Sequence, residues 1–188
     1  MNSSAKDTPA QNWITRWPIS NWSRDPGKAL TLVSNWALGR DESYALWKIY
    51  LYGKKRGIAI RTTVSRLRHS LERGGDPVSE DFYIGQVRYT SYLRDAQLTR
   101  FHVICTKKPF YSFESELRAF ILHQTVTGAS RAPYDVSSHR CVRVDLTTLL
   151  PTVYISPFAD TSYGAEVHRL LTDAHLRPQV RLSAIRDA

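Results

Sequence analysis

Cysteine is scarce in this chain: Cys105 and Cys141 are the two present among 188 residues, too few for a disulfide framework. Each lies in an apolar stretch, Val103-Ile104-Cys105 and Cys141-Val142, and is expected to be a free buried thiol in a reduced, cytoplasmic setting. Long apolar runs are missing as well. Nothing approaches the roughly 20 consecutive apolar residues that a membrane span needs, so no membrane association is expected. The opening segment Met1 to Gln11 is polar and lacks the apolar core of a secretory signal. A Gly-rich phosphate loop and a Gly-x-Ser-x-Gly elbow are absent, and the six histidines and two cysteines show no metal-ligand spacing. His168 and His175 could share a face of the last predicted helix, but no acidic or cysteine partner accompanies them, and no metal is expected there.

What is present is an ordinary globular composition, 42% apolar and 23% charged, in a length suited to one domain. The net charge of +9 calls for an explanation. Such a balance suits nucleic acid, phosphate-bearing ligands or acidic surfaces. The basic residues are spread along the chain, densest at Lys54-Lys55-Arg56 and at Arg61, Arg66 and Arg68. Arginine outnumbers lysine, which suits bidentate phosphate contacts.

The first thirty residues differ from the rest. Trp13, Trp17 and Trp22 lie among Pro18, Pro26 and Gly27 without helical or strand periodicity, which predicts an irregular strap over residues 1–30 or, alternatively, a partner surface. Residues 31–188 are expected to form a single α+β domain, a mixed, largely antiparallel sheet with about three helices. Strands are predicted at 31–36, 57–60, 82–89, 113–122, 141–144, 152–156 and 178–185. Helices are predicted from an Asp41 N-cap through Tyr52, over Val64–Arg73 and over Ser162–Ala174, with one helical turn at Leu146–Leu150. The first helix is apolar nearly all round and is expected to be buried. A polar loop is predicted over 125–139.

The main concentration of polar chemistry is Lys107 to Arg118. If Glu114 to Arg118 is extended, Glu114, Glu116 and Arg118 project from one face, with Phe113, Ser115, Leu117 and Ala119 on the other. Two neighbouring carboxylates beside a cation could hold a general base, orient a ribose hydroxyl or grip a cation. The same spacing is also that of a solvated outer strand face with a weak surface ion pair. A second constellation is Asp41-Glu42-Ser43 at a helix start, with Trp47 and Tyr50 further along. Capping and the helix dipole account for the acidic pair there without any function.

Asn35-Trp36, Asp41-Glu42-Ser43, Leu46-Trp47, Tyr50 and Gly57-Ile58-Ala59-Ile60, followed by Ile84-Gly85-x-Val87-x-Tyr89, Lys107, Phe113-Glu114-x-Glu116-x-Arg118 and Val153-Tyr154-Ile155-Ser156-Pro157, resemble the core of a bacterial family, domain of unknown function 2971. The resemblance covers residues 31 to 185. It implies that Glu114, Glu116 and Arg118 are signature positions, and it implies no particular reaction. Longer members carry an N-terminal aromatic-basic strand and an Asp-Pro-x-Glu-like turn, so the tryptophan-rich start with Asp25-Pro26 is expected to be a shortened counterpart.

Two functional classes remain open at this point. In the first, a small ligand- or nucleotide-processing enzyme, Glu114 and Glu116 are catalytic, while Lys107, Arg118, Glu42, Trp47 and Tyr50 bind a phosphate-bearing ligand. A narrower version notes that Arg61-Thr62-Thr63 and Glu114-x-Glu116 loosely resemble elements of ADP-ribosyltransferases, which would cast Glu116 on the nicotinamide-side ribose. In the second class, a non-catalytic module binds nucleic acid or a protein through Lys54, Lys55, Arg56, Arg61 and Arg66. The sequence specifies no cofactor and no oligomeric state.

Overall fold

The computed structural model describes residues 31–74, 82–91, 99–122 and 142–187, so the expected N-terminal strap, the 125–139 loop and Cys141 lie outside the described residues. The described parts fall into two compact units. One holds residues 42–74 and 142–187, the other residues 31–41, 82–91 and 99–122. Both helices and mixed, mainly antiparallel sheets are present, an α+β fold.

In the first unit, helix α1 (Tyr44–Leu51) leads to strand β2 (Ile58–Arg61), helix α2 (Val64–Arg73), the turn α4 (Leu146–Leu149), β7 (Thr152–Ile155), helix α5 (Thr161–Asp173), β8 (Gln179–Leu182) and a closing 3-10 turn, Ala184–Asp187. Strand β7 is the middle of a three-stranded sheet, antiparallel to β2 and parallel to β8. Alternation along β7 turns Val153 and Ile155 inward, where they pack with Ala159 and Val167, and Tyr163, Leu171 and Val180 close the cluster. Full burial of each branched side chain contributes about 1.5–3 kcal/mol.

Caps settle the helix starts. Ser43, and not Asp41, is the N-cap of α1, its hydroxyl accepting from Leu46 N. Thr63 caps α2 in the same way, and Asp160 precedes α5 as its cap. The expected burial of α1 is not observed: Trp47 is its one buried residue, while Tyr44, Ile49 and Tyr50 are exposed. Eight residues with one inward position make a surface helix, whatever their hydrophobicity. Leu170 on α5 is exposed, and so is Leu182 on β8. The strand expected at 141–144 reduces to an isolated bridge at Arg143 among the described residues. There the backbone passes so close to Gly74 that a Cβ on that glycine would collide with the Arg143 carbonyl.

The second unit begins with β1 (Thr31–Ala37) and continues through β3 (Phe82–Gln86), β4 (Arg88–Tyr89), α3 (Arg100–Ile104), β5 (Thr106–Lys107), a 3-10 turn (Pro109–Glu114) and β6 (Glu116–Leu122). Strand β6 lies between β1 and β3, antiparallel to both. The predicted strand 82–89 is interrupted at buried Val87: its N–H still bonds Glu116 O, the next residue in register on β6, at 2.9 Å, but the Arg88 N–H turns to Cys105 O, and β4 pairs in parallel with β5. Helix α3 was not anticipated. Its capping box of Thr99 and His102 nucleates it, and Phe101 joins Tyr83 and Phe120 in an aromatic cluster with centroids 4.7–5.9 Å apart.

Candidate functional site

The site is built where β5, the 3-10 turn and β6 meet. Strand β5 is short because its partner β4 is short: Arg88 N bonds Cys105 O at 2.8 Å and Thr90 N bonds Lys107 O at 3.0 Å, which fixes Lys107 beside β4. Pro109 then opens the 3-10 turn at a position where its missing N–H costs nothing. The turn ends at Ser115, a non-glycine residue in the left-handed region at φ 42°. Its N–H bonds Ser112 O and its carbonyl accepts from Leu38 N at 2.7 Å, so the kink is held from both sides.

That kink corrects the expected geometry. Glu114 is not on a strand face with Glu116 and Arg118; it ends the 3-10 turn, and β6 starts only at Glu116. Glu114 nevertheless meets Glu116, through Lys107. The Lys107 ammonium lies 2.6 Å from Glu114 Oε2 and 3.3 Å from Glu116 Oε2. Arg118 grips the same Glu116 with a fork, Nε to Oε1 at 3.2 Å and Nη2 to Oε2 at 3.0 Å. Its remaining Nη1 donates to the Ile104 carbonyl at the end of α3, where a cation suits both the orphan carbonyl and the helix dipole.

Nor is this a solvated surface. The Glu116 side chain is 2% exposed, with Glu114 at 14%, Arg118 at 16% and Lys107 at 23%. A carboxylate this deep must have its oxygens satisfied, and three charge-assisted hydrogen bonds do so. Burial alone would lower the pKa of the Lys107 ammonium, but the Glu114 hydrogen bond and the charge of Glu116 outweigh it, and the net shift is upward. Lys107 therefore stays a cation. By contrast, burial pushes the neighbouring Cys105 thiol up, Arg118 opposing and Glu116 assisting.

Three further contributors, Tyr89, Tyr111 and Gly85, were given no role in the site by the sequence. The Tyr89 hydroxyl oxygen accepts the Glu116 N–H at 2.7 Å, and the Tyr111 ring lies 4.6 Å from the Lys107 ammonium. Gly85, opposite Arg118 in the ladder, leaves room for Cys105, whose Sγ would sit 2.7 Å from a Cβ there. Tyr89 had a readable signal in the alternation ending at residue 89; the other two depended on chain reversals that spacing does not encode.

Glu42, Trp47 and Tyr50 belong to the other unit. Glu42 is committed to a structural clamp, Oε2 accepting from Trp47 Nε1 at 3.0 Å and Oε1 from Ala184 N at 2.9 Å. Tyr50 is exposed. The basic cluster is likewise divided. Arg56 pairs with Asp160 and Glu166 and bonds Ser162, and Arg66 donates to Thr148 O, whereas Lys54 and Lys55 are exposed and Arg61 donates to the Tyr154 hydroxyl. Of the Arg61-Thr62-Thr63 run, the Thr63 hydroxyl is spent on capping α2 and the Thr62 hydroxyl is buried without a hydrogen-bond partner among the described residues.

His168 and His175 are both exposed, and the described residues contain no group of three or more histidine, cysteine or acidic side chains placed to hold a metal ion. No described helix is long and apolar enough to cross a membrane. No family model matches the chain, and neither a curated protein nor a solved structure is similar to it.

Proposed function

We propose that the Lys107–Glu114–Glu116–Arg118 cluster is the working site of a small ligand- or nucleotide-processing enzyme of the cytoplasm, built on the fold that the domain of unknown function 2971 resemblance implies. One observation carries this reading. Glu114 is held by Lys107 through Oε2 alone, and its Oε1 has no hydrogen-bond partner among the described residues. In this reading it is the carboxylate that exchanges a proton with the ligand, through Oε1.

The other charges divide the work. Both oxygens of Glu116 and all three guanidinium nitrogens of Arg118 are engaged inward, so their role is to aim Lys107 and Glu114, and direct contact with a ligand falls to those two. Beside them the 3-10 turn displays Phe110 and Phe113 to solvent, with the Lys108 ammonium 5.9 Å from the Phe110 ring. Exposed rings next to an ammonium suit a ligand that combines a planar group with an anionic one, as a nucleotide does.

Thermal-shift and product assays with ADP, ATP, NAD⁺, ribose 5-phosphate and inorganic phosphate test the proposal. The wild-type chain should be stabilised by at least one nucleotide, and Lys107→Ala should abolish that shift. Glu114→Gln should keep the binding and lose turnover, read as phosphate or nicotinamide release. Absence of any shift across the panel, or full turnover in Glu114→Gln, would sink the reading.

A further inference from the structure

The sheet β2–β7–β8 has two faces of opposite character. Ladder partners Ile58, Ile155 and Leu182, and then Ile60, Val153 and Val180, lie on the side that carries the apolar cluster with α5. Period-two alternation puts the other six positions on the reverse side: Ala59, Tyr154 and Arg181 in one row, Arg61, Thr152 and Gln179 in the next. None of the six is acidic. Arg61, Arg181 and Gln179 are exposed, with Tyr154 half-buried between the arginine-bearing edge strands.

Like Arg66, which donates to the Thr148 carbonyl, the two arginines have neutral partners. Arg56, Arg118 and Arg169 all pair with carboxylates. Arg61 and Arg181 are instead oriented by neutral acceptors, the Tyr154 hydroxyl at 3.2 Å and the Gln179 amide oxygen at 2.9 Å. Neither makes a salt bridge among the described residues, so two positive charges are held in place on one face that no described carboxylate pairs with. Strand spacing separates their strands by about 10 Å, with the Tyr154 ring between them.

We propose that this face binds single-stranded nucleic acid. Guanidinium groups on β2 and β8 meet successive backbone phosphates, a base stacks on Tyr154, and Gln179 and Thr152 supply neutral hydrogen bonds to base edges. An acidic peptide would satisfy the arginines but would have no use for the aromatic ring and the amide. The face shares only Arg61 with the basic run along Lys54 to Arg66; Arg56 and Arg66 are occupied elsewhere in the fold.

The test is fluorescence anisotropy of a fluorescein-labelled uridine 12-mer with the full chain, over 50–200 mM salt. The double variant Arg61→Glu/Arg181→Glu should weaken binding at least tenfold and flatten the log–log salt slope by about 1.4, two phosphates at roughly 0.7 each. Tyr154→Ala should weaken binding at least fivefold, in line with the loss of about 1 kcal/mol or more of stacking, and Tyr154→Phe should stay within about twofold. Melting curves of the arginine double variant and of Tyr154→Phe should match wild type, so these two decide the matter if Tyr154→Ala unfolds. Three results overturn the proposal: no binding of the 12-mer at 50 mM salt, unchanged affinity in the arginine double variant, or displacement by polyglutamate as effective as by unlabelled oligouridine.

Discussion

Glu116→Gln is the substitution that most directly reads the energetics of the charged cluster. The glutamine keeps the shape of the side chain but offers one acceptor oxygen where the carboxylate offered two, and its amide N–H groups would confront either Arg118 or Lys107. At an effective dielectric of about 20, each of the two attractions at 3.0 and 3.3 Å is worth roughly 5 kcal/mol before desolvation is subtracted. Removing one partner of a buried pair costs about 3–5 kcal/mol in total. Here the loss is softened. Lys107 retains Glu114, Arg118 retains the Ile104 carbonyl, and both cations are partly wetted. A destabilisation of about 2–4 kcal/mol follows, or roughly 4–16 °C in Tm for a chain of this size. Glu114→Gln should cost only about 1 kcal/mol, because Lys107 then keeps the more deeply buried partner. Urea denaturation followed by circular dichroism, with the slope compared across variants, gives both numbers. If Glu116→Gln costs no more than Glu114→Gln, the division into an inward anchor and an outward-facing carboxylate is wrong.

Other outcomes follow from single contacts. Gly85→Ala should destabilise by about 1–3 kcal/mol through the clash with Cys105 Sγ, and adding Cys105→Ala should restore most of the loss in a double-mutant cycle. Glu42→Ala should lower stability by about 1–3 kcal/mol in thermal melts, since two hydrogen bonds to Trp47 and Ala184 are lost; an unchanged Tm would refute its role as a clamp. Asp145 supplies a pH test. Burial would raise its pKa, but hydrogen bonds from Thr148 and Thr147 prevail and hold the folded carboxyl below its ordinary range. Its contribution is therefore present above an unfolded pKa of about 3.9 and is lost as pH falls through the folded value. Asp145→Asn should flatten the stability profile below about pH 4, and an unaltered acid limb would contradict the linkage.

Much of the architecture follows from local pattern. The 31–37, 58–61 and 152–155 strands and the α2 helix sit where local periodicity predicts them, because that signal acts over a few residues. Long-range partners account for the departures. The hydrophobic α1 stays at the surface since only Trp47 finds a buried position, and the 82–89 strand changes partner after Val87 because the Arg88 N–H turns from β6 to Cys105 O. Within the site, the membership of Lys107, Glu114, Glu116 and Arg118 was legible as a dense polar run. Their arrangement was not, because it depends on Ser115 turning left-handed and on the Ile104 carbonyl waiting at the end of a five-residue helix.

Ser115 has a consequence for how the site can change. The two glutamates hang from backbone segments of different winding, so their relative placement is governed by one torsional pivot and not by the stiffness of a strand. A side chain other than glycine in that conformation costs on the order of 1 kcal/mol. Glycine or asparagine could occupy the pivot and leave both carboxylates where they are. A β-branched residue would pull the pivot toward extended backbone and swing Glu114 away from Lys107, disabling the outward carboxylate without altering any charged residue.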